Sequence, residues 1–268
     1  MGLPITVVDA FTDQPFSGNP AGIVVLEAPA PERWMQSVAA EVNVAETAFL
    51  VPRDDGAWGL RWFTPTVEVD LCGHATLASA HVLGGEQSFH TRSGRPPVRP
   101  AEGGAIALDL PGTAPQPLDA DLGAWARALG LPTDAVVAVG EGAGWSLVEV
   151  ATVGAVTDLV VDRTALVALG GHAIVVADAT DDPTAEVDSV CRTFAPAAGI
   201  DEDPVTGSAH CVIGPWLEAR TGRTTFTGRQ ASARGGIVGM EVRGDRVRLV
   251  GRAVTVWRGE LLAGPSAS

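Results

Sequence analysis

Two residue types are missing from the 268-residue chain: it has no lysine, its eighteen basic residues all being arginine, and it has no tyrosine. Without lysine there is no Schiff-base amine for pyridoxal phosphate or aldol chemistry, and no P-loop ammonium for nucleotide phosphates. Without tyrosine there is no phenolic proton relay. Positive charge is scarce as well, and a net charge of −14 argues against a nucleic-acid partner, whose backbone demands clustered cations. The three cysteines, Cys72, Cys191 and Cys211, form no Cys-x-x-Cys pair. They suit reduced thiols in a cytoplasmic protein better than a disulfide framework. No stretch reaches the ~20 apolar residues of a membrane span, and "MGLPITVVDAF" lacks the regions of a secretory leader, so neither membrane nor export is expected. The remaining composition, 46% hydrophobic and 19% charged, fits a globular enzyme with one large domain or two modest ones.

The chain echoes itself. "RWFTPTVEVD" (61–70) and "RTFAPAAGID" (192–201) share Arg61/Arg192, Phe63/Phe194, Pro65/Pro196 and Asp70/Asp201 at one constant offset. Each then runs into a glycine and a helix-like stretch, "CGHATLASAHVL" after the first and "TGSAHCVIGPWL" after the second. Short β-branched or aromatic runs bounded by turn residues, such as "ITVVDAF", "AGIVVL" and "LRWFT", predict strands. "PERWMQSVAAEV" predicts a helix opened by proline. The C-terminal "GIVGMEVRGDRVRLVGRAVTVWRG" reads as antiparallel strands with a Gly-Asp turn. This mixture predicts an α+β protein of two related halves. The Pro- and Gly-rich "PGTAPQPLDADLG" (111–123) places the boundary between 1–115 and 116–268, with the last strands able to pair back with the first half.

Several chemistries are weighed and set aside. "GEGAG" (140–144) lies between two strand-like runs and lacks the Gly-x-Gly-x-x-Gly spacing, so it reads as a hairpin loop, not a dinucleotide site. His74 and His81 share a helix face, but two turns separate them by ~10 Å, too far to ligate one ion, and no metal site is expected. Cys72 and His74 are so close in sequence that a nucleophile–base arrangement is disfavoured; a small buried thiol under a helix start is the plainer reading. His90 and His172 have no chemical context.

Four features keep a chemical reading. Gly73 and Gly207 each open a helix after an extended segment, leaving unpaired N–H groups that bind anions; ordinary close-packed helix starts are the competing reading. Glu46 interrupts the apolar "NVAETAFLV", where a desolvated carboxylate would suit acid/base work; an exposed residue at a strand start is the alternative. Asp203, in "DEDPVTGSAH", falls at the repeat position that matches Cys72, and its three-acid cluster exceeds what helix capping requires.

Taken jointly, "VDAFTDQPFSGNPAGIVVL", "ETAFL", "RWFTPTVEVDLCGHATLASAHVL" and "DEDPVTGSAHCVIGPWL" resemble the phenazine-biosynthesis isomerase (PhzF-like) family over nearly the whole chain. The resemblance implies a diaminopimelate-epimerase-like fold of two similar α+β domains, each a curled mixed sheet around a central helix, with the active site in the cleft. It implies a homodimer acting on a small carboxylate without cofactor or metal. The family's proton-shuttling glutamate falls on Glu46, its partner histidine on His74 and its aspartate on Asp203; pocket-lining positions fall on Gly73, Gly207 and Ser208. Related epimerases carry a thiol at each helix start. Here Cys72 is kept and Asp203 stands opposite, which disfavours a two-thiol racemase. An amino-acid or hydroxy-acid epimerase, or a non-catalytic binding protein on the same fold, are the alternatives. A dihydro-hydroxyanthranilate is the family's prototype substrate, and nothing in this sequence selects it.

Overall fold

The computed structural model describes residues 2–180 and 185–265. Its backbone contacts divide the chain at Asp109/Leu110: one compact unit ends at Asp109 and takes back the chain from Val250, and the other runs Leu110–Leu249.

The first unit contains β1 (Leu3–Ala10), β2 (Asn19–Val25), α1 (Glu32–Val42), β3 (Glu46–Pro52), β4 (Trp58–Phe63), β5 (Glu68–Val69), α2 (Gly73–Leu83), β6 (Gln87–His90), β7 (Pro97–Pro100) and β8, which begins at Ile106 and ends at Pro111. In the second lie β9 (Gln116–Pro117), α3 (Leu122–Leu129), β10 (Val136–Gly142), β11 (Trp145–Val150), α4 (Val153–Thr157), α5 (Arg163–Ala168), β12 (Ala173–Asp178), β13 (Ser189–Ala195), β14 (Ile200–Asp203), α6 (Gly207–Thr221), β15 (Thr225–Gln230), β16 (Gly236–Arg243) and β17, which begins at Arg246. β18 (Ala253–Leu261) belongs to the first unit and runs antiparallel to β1.

Strand pairing repeats from one unit to the other. In the first, β1–β2 is antiparallel, β2–β3 parallel, β3–β4 and β4–β5 antiparallel, β4–β6 parallel and β6–β7 antiparallel. The second follows the same order: β10–β11 antiparallel, β11–β12 parallel, β12–β13 and β13–β14 antiparallel, β13–β15 parallel and β15–β16 antiparallel. The α+β class and the internal echo expected from the sequence are therefore present in the backbone. "GEGAG" forms the β10–β11 hairpin, with Gly142 opposite Trp145.

Each unit has one helix buried almost all round. α2 buries His74 through Ala80, and α6 buries Gly207 and every residue from Ala209 to Leu217. Such helices lie inside their fold and show no polar face. α2 packs on β1, β2, β3 and β18; α6 packs on β11, β12, β15 and β16. Small residues make this possible, and the hydroxyls of Thr76 and Ser79 turn back onto the Cys72 and Ala75 carbonyls, so their burial leaves no orphan donor. Amphipathic α1 instead covers an apolar cluster of Ile5, Val24, Met35, Val38, Phe49 and Phe63. In the second unit Trp125, Leu129, Val148, Leu166, Val175 and Phe194 form the corresponding core.

The repeated Arg and Phe have one structural job in both units. Arg61 on β4 grips Glu68 of β5 through two hydrogen bonds of 2.6 and 2.7 Å and lies 5.2 Å over the Phe63 ring. Arg192 on β13 grips Glu202 of β14 at 2.7 and 2.8 Å and lies 5.2 Å over Phe194. These bidentate clamps pin the short strand that leads into each buried helix.

Candidate active site

The first unit gathers its polar groups at the start of α2. Gly18 prepares the approach: its φ is +65°, and a Cβ there would stand 2.2 Å from the Ala10 carbonyl oxygen, so only glycine fits the turn that delivers Asn19 to β2. Asn43 in the left-handed conformation ends α1 and releases the chain into β3, whose first residue is Glu46. The Arg61–Glu68 clamp and an extended Cys72 (φ −146°) then lead into Gly73, the first residue of α2, with His74 next.

These residues converge. His74 Nε2 lies 3.0 Å from Glu46 Oε2, and on the other side of the ring Nδ1 lies 3.2 Å from Asn19 Nδ2 and 3.5 Å from Cys72 Sγ. All four are buried: Glu46 is 8% exposed, Cys72 6%, His74 5% and Asn19 0%. Of the two sequence alternatives for Glu46, burial is the one realised. Its 3.0 Å approach to the imidazole is close but out of line with a ring N–H, so Oε2 is buried without an aligned hydrogen bond.

Burial works against charge on His74, but the Cys72 sulfur and the Glu46 carboxylate beside it outweigh burial and hold the imidazole well above its usual 6.5. Burial, reinforced by the Glu46 carboxylate, pushes the Cys72 thiol up. His74 is thus raised by both neighbours, the Cys72 sulfur first and the Glu46 carboxylate second. The Asn19 carboxamide suits this ring by presenting either its oxygen or its nitrogen to Nδ1.

One expectation needs correction. Sequence proximity argued that Cys72 and His74 would not meet, yet their side chains are in contact at 3.5 Å. An extended residue followed by a helix start turns both side chains to the same side. His81, two helical turns on, pairs with Thr255 of β18 at 3.1 Å and takes no part.

The second unit places its own polar cluster at the start of α6. Asp203, half-buried at the end of β14, accepts a 2.5 Å hydrogen bond from the Thr206 hydroxyl. Thr206, not Asp203, occupies the N-cap position of α6, so helix capping does not explain the aspartate. Gln230, fully buried on β15, accepts from the Thr206 amide at 2.8 Å and donates to the Asp203 carbonyl at 2.6 Å. Gly207 is the first helical residue and Ser208 the second, half-buried. His210 donates from Nδ1 to the Thr206 carbonyl at 2.8 Å, and its Nε2 lies 3.9 Å from Cys191 Sγ. Burial lowers this imidazole to about 4, and it is neutral at pH 7. Gly228 makes room for it, since a Cβ there would lie 3.0 Å from the ring.

Within the first unit, then, the structure brings together Glu46, His74 and the Gly73 helix start; within the second, Asp203, Gly207 and Ser208. Asn19, Gln230 and His210 are additions that the sequence did not announce. A cavity of about 460 Å³ in the first unit is a separate feature: Met35 of α1 and Phe49, Val51 and Arg61 line it, the strand residues on the sheet face opposite Glu46, Ala48 and Leu50.

Comparison with known proteins first defines the class. A probable proline racemase from Agrobacterium radiobacter, 13% identical, superposes with a TM-score of 0.64 over 98% of this chain and 94% of its own, which places the backbone among racemase- and epimerase-like folds. The family follows from closer likeness. The model for phenazine biosynthesis-like proteins (PhzC-PhzF) matches residues 8–259, and the chain belongs to that family. An uncharacterized isomerase of Halalkalibacterium halodurans is 42% identical over 98% of this chain and 99% of its own length. A PhzF-family crystal structure from Enterococcus faecalis is 38% identical with a TM-score of 0.90, covering 98% of this chain and all of that one.

Proposed function

We propose that the chain is an isomerase that moves a proton between two carbons of a small carboxylate substrate, with Glu46 as both base and acid and no cofactor or metal. The observation that carries this reading is the buried Glu46–His74 pair at 3.0 Å, whose carboxylate oxygen has no aligned hydrogen bond. An oxygen held in a dry site with a lone pair unengaged is ready to accept a proton. Relatives named as isomerases, matched along their full length, support the reaction class.

In the proposed reaction Glu46 Oε2 takes a proton from a carbon next to an activating group, and the C–H bonding pair moves into the adjacent π system. The protonated Glu46 then returns the proton to another carbon on the same face, so the enzyme ends as it began. His74, cationic beside Glu46, balances charge as the carboxylate gains and loses its proton. The amide at the Gly73 helix start is proposed to hold the substrate carboxylate. Asp203, Gly207 and Ser208 are proposed as substrate-positioning residues on the family resemblance, with Gln230 and Thr206 orienting Asp203.

The test is solvent deuterium incorporation. A panel of small unsaturated carboxylates is screened by thermal shift, and binders are incubated with protein in deuterated water. Glu46→Gln is expected to abolish incorporation while leaving binding intact; incorporation at the wild-type rate overturns the assignment. Chirality-resolved product analysis separates a double-bond shift from an epimerisation.

A further inference from the structure

Cys72 has no part in the proposed proton transfer, yet its sulfur is held against the two groups that do. Glu46 Oε2, Cys72 Sγ and His74 supply one oxygen, one sulfur and one nitrogen donor, all within 4.8 Å of one another and all buried. Around His74 Nε2 the separations are 3.0 Å to the carboxylate oxygen and 3.9 Å to the sulfur. A tetrahedral ion with Zn–N and Zn–O bonds of about 2.0–2.1 Å and a Zn–S bond of about 2.3 Å needs donor pairs roughly 3.3–3.5 Å apart. The two distances from His74 Nε2 bracket that requirement and lie within a few tenths of an ångström of it, and the carboxylate–sulfur side falls within 4.8 Å.

We infer that Glu46, Cys72 and His74 form a three-ligand site for a thiophilic divalent cation such as zinc, with the fourth position open to water or a substrate carboxylate. The donor set is selective: a thiolate and an imidazole favour zinc over magnesium or calcium, which take oxygen ligands. Binding replaces the Cys72 S–H proton and the His74 Nε2 proton with bonds to the ion and releases both to solvent. Among the described residues this is the one cluster of three such donors. The second unit's sulfur–imidazole contact, Cys191 with His210, lacks a third donor. Binding draws nothing from the proposed isomerase activity. Only its consequence, that a bound ion occupies the Glu46 oxygen and silences proton transfer, rests on that reading.

The test uses the metal alone, with the full chain. Cobalt(II), as a zinc surrogate, is titrated into reduced protein and read by the thiolate-to-cobalt charge-transfer band; zinc affinity is measured by competition with a chromophoric chelator. One equivalent of cobalt is expected to produce the band, and zinc to remove it. Cys72→Ala and Cys72→Ser are expected to lose the band and to weaken zinc binding beyond the ~10–100-fold that loss of an outer-shell partner costs. Cys191→Ala is expected to keep both. Circular dichroism establishes that each variant is folded. Absence of the band in wild-type protein at one equivalent overturns the site, whatever the variants do. So does unchanged zinc affinity in folded Cys72→Ala. Deuterium exchange with and without zinc is a separate readout: failure to inhibit an active enzyme, with the band present, counts against Glu46 as the shuttle and leaves the metal site standing.

Discussion

The two units share one order of strand pairing and one kind of buried helix, but they charge their buried histidines in opposite ways. His74 sits at the second position of α2 against a carboxylate and is held well above 6.5. His210 sits one turn into α6, where its nearest partners are a carbonyl and a thiol, and burial drives it down to about 4. The two imidazoles stand at different positions near their helix starts, and the neighbours each one meets there, Cys72 and Glu46 for His74 and the Thr206 carbonyl for His210, set the opposite directions of their shifts. In the proposed reaction Glu46 makes the first unit reactive; in the second the imidazole holds a helix start, donating to the Thr206 carbonyl.

The largest expected effect comes from removing the group that separates the units. Glu46→Gln keeps the shape and removes the base, and proton exchange should fall by roughly 10²–10⁴-fold, the usual worth of a positioned acid/base group. Next is His74→Ala, which leaves the Glu46 carboxylate buried without its partner. Denaturant unfolding should show a loss of about 3–5 kcal/mol, and the double variant Glu46→Gln/His74→Ala should recover part of it.

The pH dependence of stability separates the two histidines by sign. His74 has a folded pKa above its unfolded value, so its contribution is complete below about pH 6.5 and is lost as pH rises through the folded value. His210 has a folded pKa lowered to about 4, so protonation favours the unfolded chain, and about 3 kcal/mol should be lost as pH falls from 6.5 to 4. His210→Gln should flatten that acid limb in unfolding curves, and His74→Gln the alkaline one. The smallest effect belongs to the second unit's helix start. Gln230→Ala strands the buried Thr206 amide and should cost about 1–3 kcal/mol by the same measurement, with Asp203 left less firmly placed.

Much of this comparison is legible in the sequence, for local reasons. Arg61 and Phe63 recur as Arg192 and Phe194 because one strand-to-helix connection is clamped in the same way twice, and that repetition survives as identical letters. Gly73 and Gly207 open their helices as expected because an extended run followed by glycine and small apolar residues admits little else. The charge of each site is not legible, because it depends on partners far along the chain. Asn19 reaches His74 across 55 residues, and Gln230 reaches Thr206 across 24. Whether Glu46 is buried depends on α2 closing over β3, which no pattern in "NVAETAFLV" discloses. His210 gave no signal, because a neutral packed histidine needs only a carbonyl that every helix start provides. Cys72 is the buried thiol at a helix start that the sequence suggests, but its contact with His74 is not legible, because the change from extended to helical backbone brings its sulfur onto the ring.

The measurement that bears most directly on this account is the titration of the five histidine rings by NMR, with His74 and His210 assigned by substitution. His74 should remain protonated through pH 7 and lose its proton only well above 6.5, reverting toward ordinary behaviour in Glu46→Gln, while His210 should stay neutral down to about pH 4. A His74 that is neutral at pH 7, or that titrates identically with and without the Glu46 carboxylate, would contradict the account.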